Sequence, residues 1–186
     1  MKKAASSQKN KFSLKDQRTL RILDKVVTQK SVRAAIDSLI PKAEQKLAAD
    51  SEAILSWEPV PLELYGGKLP DVIHSSWVFV IRAASESGAE RHPNSHQYMM
   101  SYRGTGDLQI KTDKKWESNL LVSDPVEKLE SRWVSIPPYT WHQAVTSKEN
   151  WAVVSFHTAH EDELIEERPD SANTQSTHQR LYLDEQ

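Results

Sequence analysis

The chain contains no cysteine. That absence excludes a disulfide framework, a thiolate nucleophile and any cysteine-ligated zinc or iron–sulfur site, leaving His, Asp and Glu as the possible metal ligands. No apolar run approaches the roughly 20 residues that a spanning helix needs, so no membrane partner is expected. The stretch Met1–Gln8 has basic residues with no apolar segment behind them. A secretory signal is therefore not expected, and the expected compartment is the cytoplasm. A dominant charge of one sign is also lacking: 24 Lys and Arg face 26 Asp and Glu. The distribution is uneven, with 12 basic against 5 acidic residues in 1–50 and 2 against 8 in 161–186. The basic residues of the first segment are interleaved with helical apolar positions and few aromatics, which reads as a solvated helix face and not as a nucleic-acid surface. What remains is a chain of 186 residues, 38% hydrophobic, with seven histidines and a mean hydropathy of −0.64. Such a chain can form one domain with a real core and extensions.

Residues 1–12 are polar and lysine-rich, which predicts a flexible N-terminus. Ser13 opens Ser-Leu-Lys-Asp, a hydroxyl cap with an acid three residues on, and Leu20, Leu23 and Val27 follow at helical spacing. A second stripe runs Val32, Ile36, Leu39, Ala43, Leu47, with Pro41 expected to kink or restart it. Residues 13–50 thus read as a helical extension of two or three helices. From residue 51 to 160 the texture changes to short Val/Ile/Trp/Tyr/Phe segments between Pro, Gly, Asn, Asp and Ser clusters. Strands are predicted near 54–57, 61–65, 76–83, 96–103, 107–111, 132–136, 142–146 and 150–158. With no long helical pattern between them, an antiparallel sandwich or barrel is favoured over parallel βαβ units. Within 76–83, Trp77, Phe79 and Ile81 share one face, and Val78, Val80 and Arg82 the other. Residues 161–186 lose the alternation and read as an acidic C-terminal tail, with a short helix or loop before it.

The densest chemistry lies in Gly88-Ala-Glu-Arg-His92-Pro-Asn-Ser-His96-Gln97-Tyr98 and, fifty positions after His92, in Ile136-Pro-Pro-Tyr-Thr-Trp-His142. Residues two apart on a strand share a face, so Glu90 and His92 can point together and His142 on a neighbouring strand can complete a facial set. Two or three imidazoles plus a carboxylate leave open positions on a divalent ion, the arrangement of non-haem iron oxygenases. For the remaining ligand position His96 competes with Gln97: strict alternation from His92 selects the former. Glu90 beside Arg91 can equally be half of a surface ion pair. Gly66-Gly67 and Gly104-Thr-Gly-Asp read as turns, since neither opens a helix pattern.

These residues resemble the cupin superfamily. Its first motif runs His-x-His, three or four residues, Glu, six residues, Gly; its second places a Pro five residues before a His. His92, Gln97 and Gly104 fit the first register, which selects Gln97 over His96, and Pro137 and His142 fit the second. Glu90 stands at the first histidine position, Gln97 at the glutamate, and Tyr139 at the usual glycine before His142. The resemblance implies a mainly β, double-stranded β-helix (jelly-roll barrel) with the N-terminal helical extension added, and a homodimer. The string His92-Pro-Asn-Ser-His96 is similar to one in thiol dioxygenases, a similarity that also implies His157 as a residue beside the metal and Arg82 as a carboxylate clamp.

The expectation is thus a metal-dependent cupin with Fe(II) as its metal, and with Zn, Ni or Mn as possible occupants on isolation. Glu90, His92, His96, Gln97 and His142 are the candidate ligands. Arg82, Tyr98 and His157 are the candidate catalytic residues. The expected activity is that of a mononuclear non-haem iron dioxygenase acting on a small metal-coordinating thiol, enol or phenol. A non-catalytic small-ligand-binding or sensory cupin and a metal-dependent isomerase or lyase are the alternatives.

Overall fold

The computed structural model describes residues 12–113, 115–170 and 176–185; the flexible terminus expected over 1–12 lies, apart from Phe12, outside them. Helix α1 (Leu14–Val27) begins where Ser13 accepts a hydrogen bond from the Asp16 backbone N–H at 3.1 Å. Helix α2 (Lys30–Ala49) runs through Pro41 without ending there. Proline costs an interior helix position about 3 kcal/mol. The apolar stripe Val32, Ile36, Ile40, Ala43 and Leu47 is fully buried, and about 1.5–3 kcal/mol for each large aliphatic side chain outweighs that cost.

The β strands follow in chain order: β1 (Leu55–Pro59), β2 (Ser75–Ile81), β3 (Gln97–Arg103), β4 (Thr105–Thr112), β5 (Lys115–Glu117), β6 (Leu120–Val122), β7 (Trp133–Ile136), β8 (His142–Thr146) and β9 (Trp151–His157). Two more, β10 (Ile165–Pro169) and β11 (Thr177–Leu181), form a C-terminal hairpin. Every ladder is antiparallel. The first sheet has the order β1-β2-β9-β3-β7, while in the second β4 pairs with β5, β6 and β8. Isolated bridges of Glu86 to Val145, Glu90 to His142 and Arg91 to Glu167 extend the second sheet through segment 86–91 to the hairpin.

The helices lie on the outer face of the first sheet. Val78, Val80, Tyr98, Met100, Trp133, Val154 and Phe156 join Leu20, Leu23, Val27, Ile36 and Ile40 in one core cluster. Polar tips on this face bind helix carboxylates: Trp133 Nε1 donates to Asp24 at 2.8 Å and the Tyr102 hydroxyl to Asp37 at 2.9 Å. The alternate residues face inward, where Ile81, Met99, Leu108, Leu121, Val134, Trp151 and Val153 fill the space between the sheets. The mainly β architecture with an N-terminal helical extension is thus the one expected.

Several elements differ from expectation, among them β5 and β6, which stand where no strand was predicted. Residues 62–65 form a 3₁₀ turn, not a strand. Pro59 and Pro61 lack the N–H a ladder needs, and Gly66 and Gly67, both at positive φ, end the segment. The expected acidic tail contains the hairpin. Its inward residue is Glu166, 1% exposed and bracketed by Arg168 and Arg180, so an alternation of charge stands where an apolar one would announce a strand.

Gly104, at φ +87°, makes the tight β3–β4 connection where the cupin motif has its glycine. Gly106 has another reason: a Cβ there would fall inside the Trp151 indole, whose Nε1 donates to Ser101 Oγ at 2.9 Å. Gly106→Ala should cost about 2 kcal/mol or more by overpacking. Urea unfolding checks it, and wild-type stability would contradict this packing.

Candidate metal centre

Segment 86–92 runs beside β8, and Glu90 and His142 exchange both backbone hydrogen bonds at 2.9 Å. That pairing sets the two side chains opposite each other, and His92 lies two residues on, on the same face. The turn 137–140 delivers His142: Tyr139 adopts φ +62° and its N–H donates to His92 O at 3.1 Å. A positive φ at this position accounts for the glycine that the cupin motif prefers there. One carboxylate oxygen and one nitrogen from each of His92 and His142 lie within 4.8 Å of one another, and among the described residues this is the one group of that kind.

Both imidazoles have their tautomer imposed. His142 Nδ1 lies 3.0 Å from Thr140 O and His92 Nδ1 3.0 Å from Ile165 O. A backbone carbonyl can only accept, so each Nδ1 carries a proton, and a neutral ring then keeps its lone pair on Nε2. His142 Nε2 is buried without a hydrogen bond, although Glu90 Oε1 is only 3.4 Å away. Two electron-rich atoms at that separation call for a cation between them. The other Glu90 oxygen, Oε2, accepts from Arg168 Nη2 at 2.8 Å.

Burial raises the pKa of Glu90, but contact with His142 and the charges of His142, Arg168 and His92 outweigh that and hold it at about 2. Burial, and then the proximity of His142, lower that of His92. Burial, reinforced by His92 and His142, pushes His157 well below the ordinary imidazole value. At pH 7 the site therefore presents one anion, with the His92 and His157 rings neutral.

Gln97 and His157 also face the cavity. Gln97 Nε2 donates to Ser155 Oγ at 3.0 Å, Ser155 Oγ lies 2.8 Å from His157 Nε2, and Ser95 Oγ 3.4 Å from His157 Nδ1. Both nitrogens of His157 are thus engaged by hydroxyls, whereas Gln97 Oε1 has no partner. Leu55, Phe79, Ile81, Met99, Leu108 and Val153 form the apolar wall, Tyr182 closes one side, and about 40 Å³ is left inside. That holds an ion and a few small-ligand atoms.

Three expected site residues lie elsewhere. His96 points to the outer face of the first sheet: its Nε2 is 2.7 Å from Ser135 Oγ and its ring stacks on Tyr98 at 4.5 Å. A bend at Pro93-Asn94 breaks the alternation. There the Asn94 side chain bonds Glu163 O and the Ile165 N–H, so the next inward residue is Gln97. Tyr98 lies under α1 with its hydroxyl donating to Asp16 at 3.2 Å. Arg82, on the helix side of its strand, donates to the carbonyls of Leu47, Asp50 and Ala53 at 2.6–2.7 Å. It caps the end of α2 and is no carboxylate clamp. Sequence reasoning missed Ile165, Arg168 and Tyr182, whose apolar or charged character in an acidic stretch gives no signal of a site.

No family model matches the sequence, and no curated protein matches it. Solved structures similar to it include a CapF structure with an inhibitor, at 14% identity and TM-score 0.48 over 61% of this chain, which spans 30% of that one. KdgF from Halomonas sp. is similar at 14% identity and TM-score 0.43 over 61% of this chain and 88% of that one. Oxalate oxidase with glycolate is similar at 15% identity and TM-score 0.42 over 57% and 53%. The chemistry of the site follows from this chain's own residues and from the strand order that places them.

Two predictions follow from this geometry. Arg82→Ala should cost about 2–3 kcal/mol, since charged hydrogen bonds to three carbonyls are lost, with the metal content of the purified protein unchanged; metal loss would return Arg82 to the site. In the metal-free protein, unfolded imidazoles titrate near 6.5 while His92 and His157 titrate lower, so between those values the unfolded state binds more protons. Stability is full above about pH 6.5 and drains as pH falls through that window, and Glu90 adds a loss of the same sign below about 4.5. The thermal midpoint should fall between about pH 7.5 and about pH 5; a midpoint that rises would contradict it.

Proposed function

We propose that the chain binds one divalent metal ion through Glu90 Oε1, His92 Nε2 and His142 Nε2, and that it is a mononuclear non-haem iron enzyme activating dioxygen on a small substrate. The observation that carries the reading is the unpaired His142 Nε2 facing a carboxylate oxygen at 3.4 Å in a buried, apolar-walled cavity. Two imidazoles with a carboxylate are a donor set suited to a divalent first-row metal. Iron(II) in such a two-histidine, one-carboxylate set keeps open positions and supplies the redox chemistry for dioxygen.

The chain's own residues do the rest. Thr140 O and Ile165 O hold the Nε2 lone pairs inward, and Arg168 holds the carboxylate ionised and turned. The aliphatic wall and Tyr182 exclude water, which strengthens every polar contact inside. Gln97 Oε1 accepts a hydrogen bond from an O–H or N–H of the ligand, and the Ser155–His157 pair behind it keeps the amide oriented. With Arg82 assigned to the helix cap, no Lys or Arg among the described residues lines the cavity, which favours an uncharged enol or phenol, or a thiol without a distant carboxylate. The cavity of about 40 Å³ limits that substrate to few atoms.

The test is metal content and oxygen uptake after anaerobic loading with Fe(II). Wild type should bind close to one equivalent and consume oxygen with a small enol or thiol. His142→Ala should lose more than the about 10–100-fold in affinity that losing an outer partner of a ligand costs, and lose turnover. Full metal content in the variant would end the reading. Metal binding by wild type with no oxygen uptake would favour an isomerase, a lyase or a ligand-binding role on the same ligands.

A further inference from the structure

Two of the three proposed ligands are held in place by residues more than 70 positions further along the chain. His92 Nδ1 donates to Ile165 O and Glu90 Oε2 accepts from Arg168, both of β10. Between these contacts Arg91 and Glu167 exchange backbone hydrogen bonds at 3.0 and 2.9 Å, so β10 continues the sheet on the strand that carries Glu90 and His92. A side-chain ion pair of Arg91 with Glu167 lies on the same bridge. Among the described residues, Arg168 is the cation that Glu90 pairs with in a direct hydrogen bond.

We propose that the C-terminal hairpin is the outer layer of the metal centre, with Arg168 as the positioning residue for Glu90, so that metal binding and hairpin docking stabilise each other. The inference rests on the metal-binding reading above. The Arg168 guanidinium is itself held from three directions. Nε donates to Glu166 Oε1 at 2.7 Å, Nη1 to Ser87 O at 3.2 Å, and Nη2 to Glu90 at 2.8 Å. Glu166, 1% exposed, is in turn gripped by Arg180 of β11, which ties both strands of the hairpin to the same chain of contacts. With Oε2 engaged, the carboxylate cannot rotate freely, and Oε1 stays turned towards His142 Nε2. Glu166 offsets much of the Arg168 charge, so orientation, more than repulsion of the metal, is what Arg168 contributes. Outer partners of this kind are worth about 10–100-fold in metal affinity. Because the coupling is a free energy between two equilibria, it must act in both directions: a docked hairpin tightens metal binding, and bound metal tightens the hairpin.

Co(II) is the probe, with the full chain, in competition with a chromophoric chelator. Arg168→Ala should bind about 10–100-fold more weakly than wild type with an altered Co(II) absorption spectrum, and Arg168→Lys should recover part of both. A merely structural arginine would change the unfolding midpoint without changing the Co(II) spectrum. Independently of any variant, hydrogen exchange of amides in 165–169 and 177–181 of the wild-type chain should slow when Co(II) is added. Arg168→Ala affinity within about twofold of wild type, or hairpin exchange indifferent to Co(II), overturns the proposal while leaving the metal reading intact. Absence of Co(II) binding by wild type overturns both. Should Arg168→Ala fail to fold, the exchange experiment on wild type decides alone.

Discussion

Two backbone carbonyls, Thr140 O and Ile165 O, govern the centre of this molecule, because each obliges an imidazole to carry its proton on the far nitrogen. With that constraint in place, His92 and His142 turn electron pairs into a buried cavity and meet a carboxylate there. Buried acceptors facing one another are unfavourable unless a cation lies between them. The arrangement is therefore a local cost that the surrounding structure sustains and that a bound ion relieves. Such costs concentrate at functional sites.

The rest of the fold can be read as what makes that constraint hold. One carbonyl comes from the turn before β8, where Tyr139 takes a positive φ. The other comes from β10, which Arg91, Glu167, Asn94 and the Arg168–Glu166–Arg180 contacts hold in place beside the buried Leu164 and Tyr182. The helices bury the outer face of the first sheet, so its inner face can devote Gln97, Met99, Val153 and His157 to the cavity. Fixing the sheet from behind removes the freedom that would otherwise let the rings turn away.

Polar residues divide between two kinds of work in this protein. Asp16, Asp24 and Asp37 pair across the helix–sheet boundary with Tyr98, Trp133 and Tyr102, and Arg82 closes the end of α2. These contacts satisfy groups that would otherwise be buried unpaired. The inner set of Glu90, His92, Gln97 and His142 is left incompletely satisfied. That contrast between a saturated outer boundary and an unsaturated interior separates scaffold from site.

Much of the frame was legible in the amino-acid order. The switch from helical to strand periodicity near residue 51, the faces of β2 and the shared face of Glu90 and His92 are local properties, carried by side-chain period and turn residues, whereas Gln97 was selected only by the resemblance to a motif. His96 was not legible, because a bend at Pro93-Asn94 shifts the alternation, and the bend depends on Asn94 reaching the chain seventy residues away. Arg82 and Tyr98 look like site residues until the helices are folded onto their face of the sheet. The hairpin was invisible because its buried residue is a glutamate, acceptable only between two arginines that the fold brings together. Sequence by itself determined the helical cover, most strands between residues 51 and 160 and which residues carry metal-binding chemistry. Only tertiary structure decided which of them converge, because convergence rests on hydrogen bonds between segments far apart in the chain, and no local pattern records those.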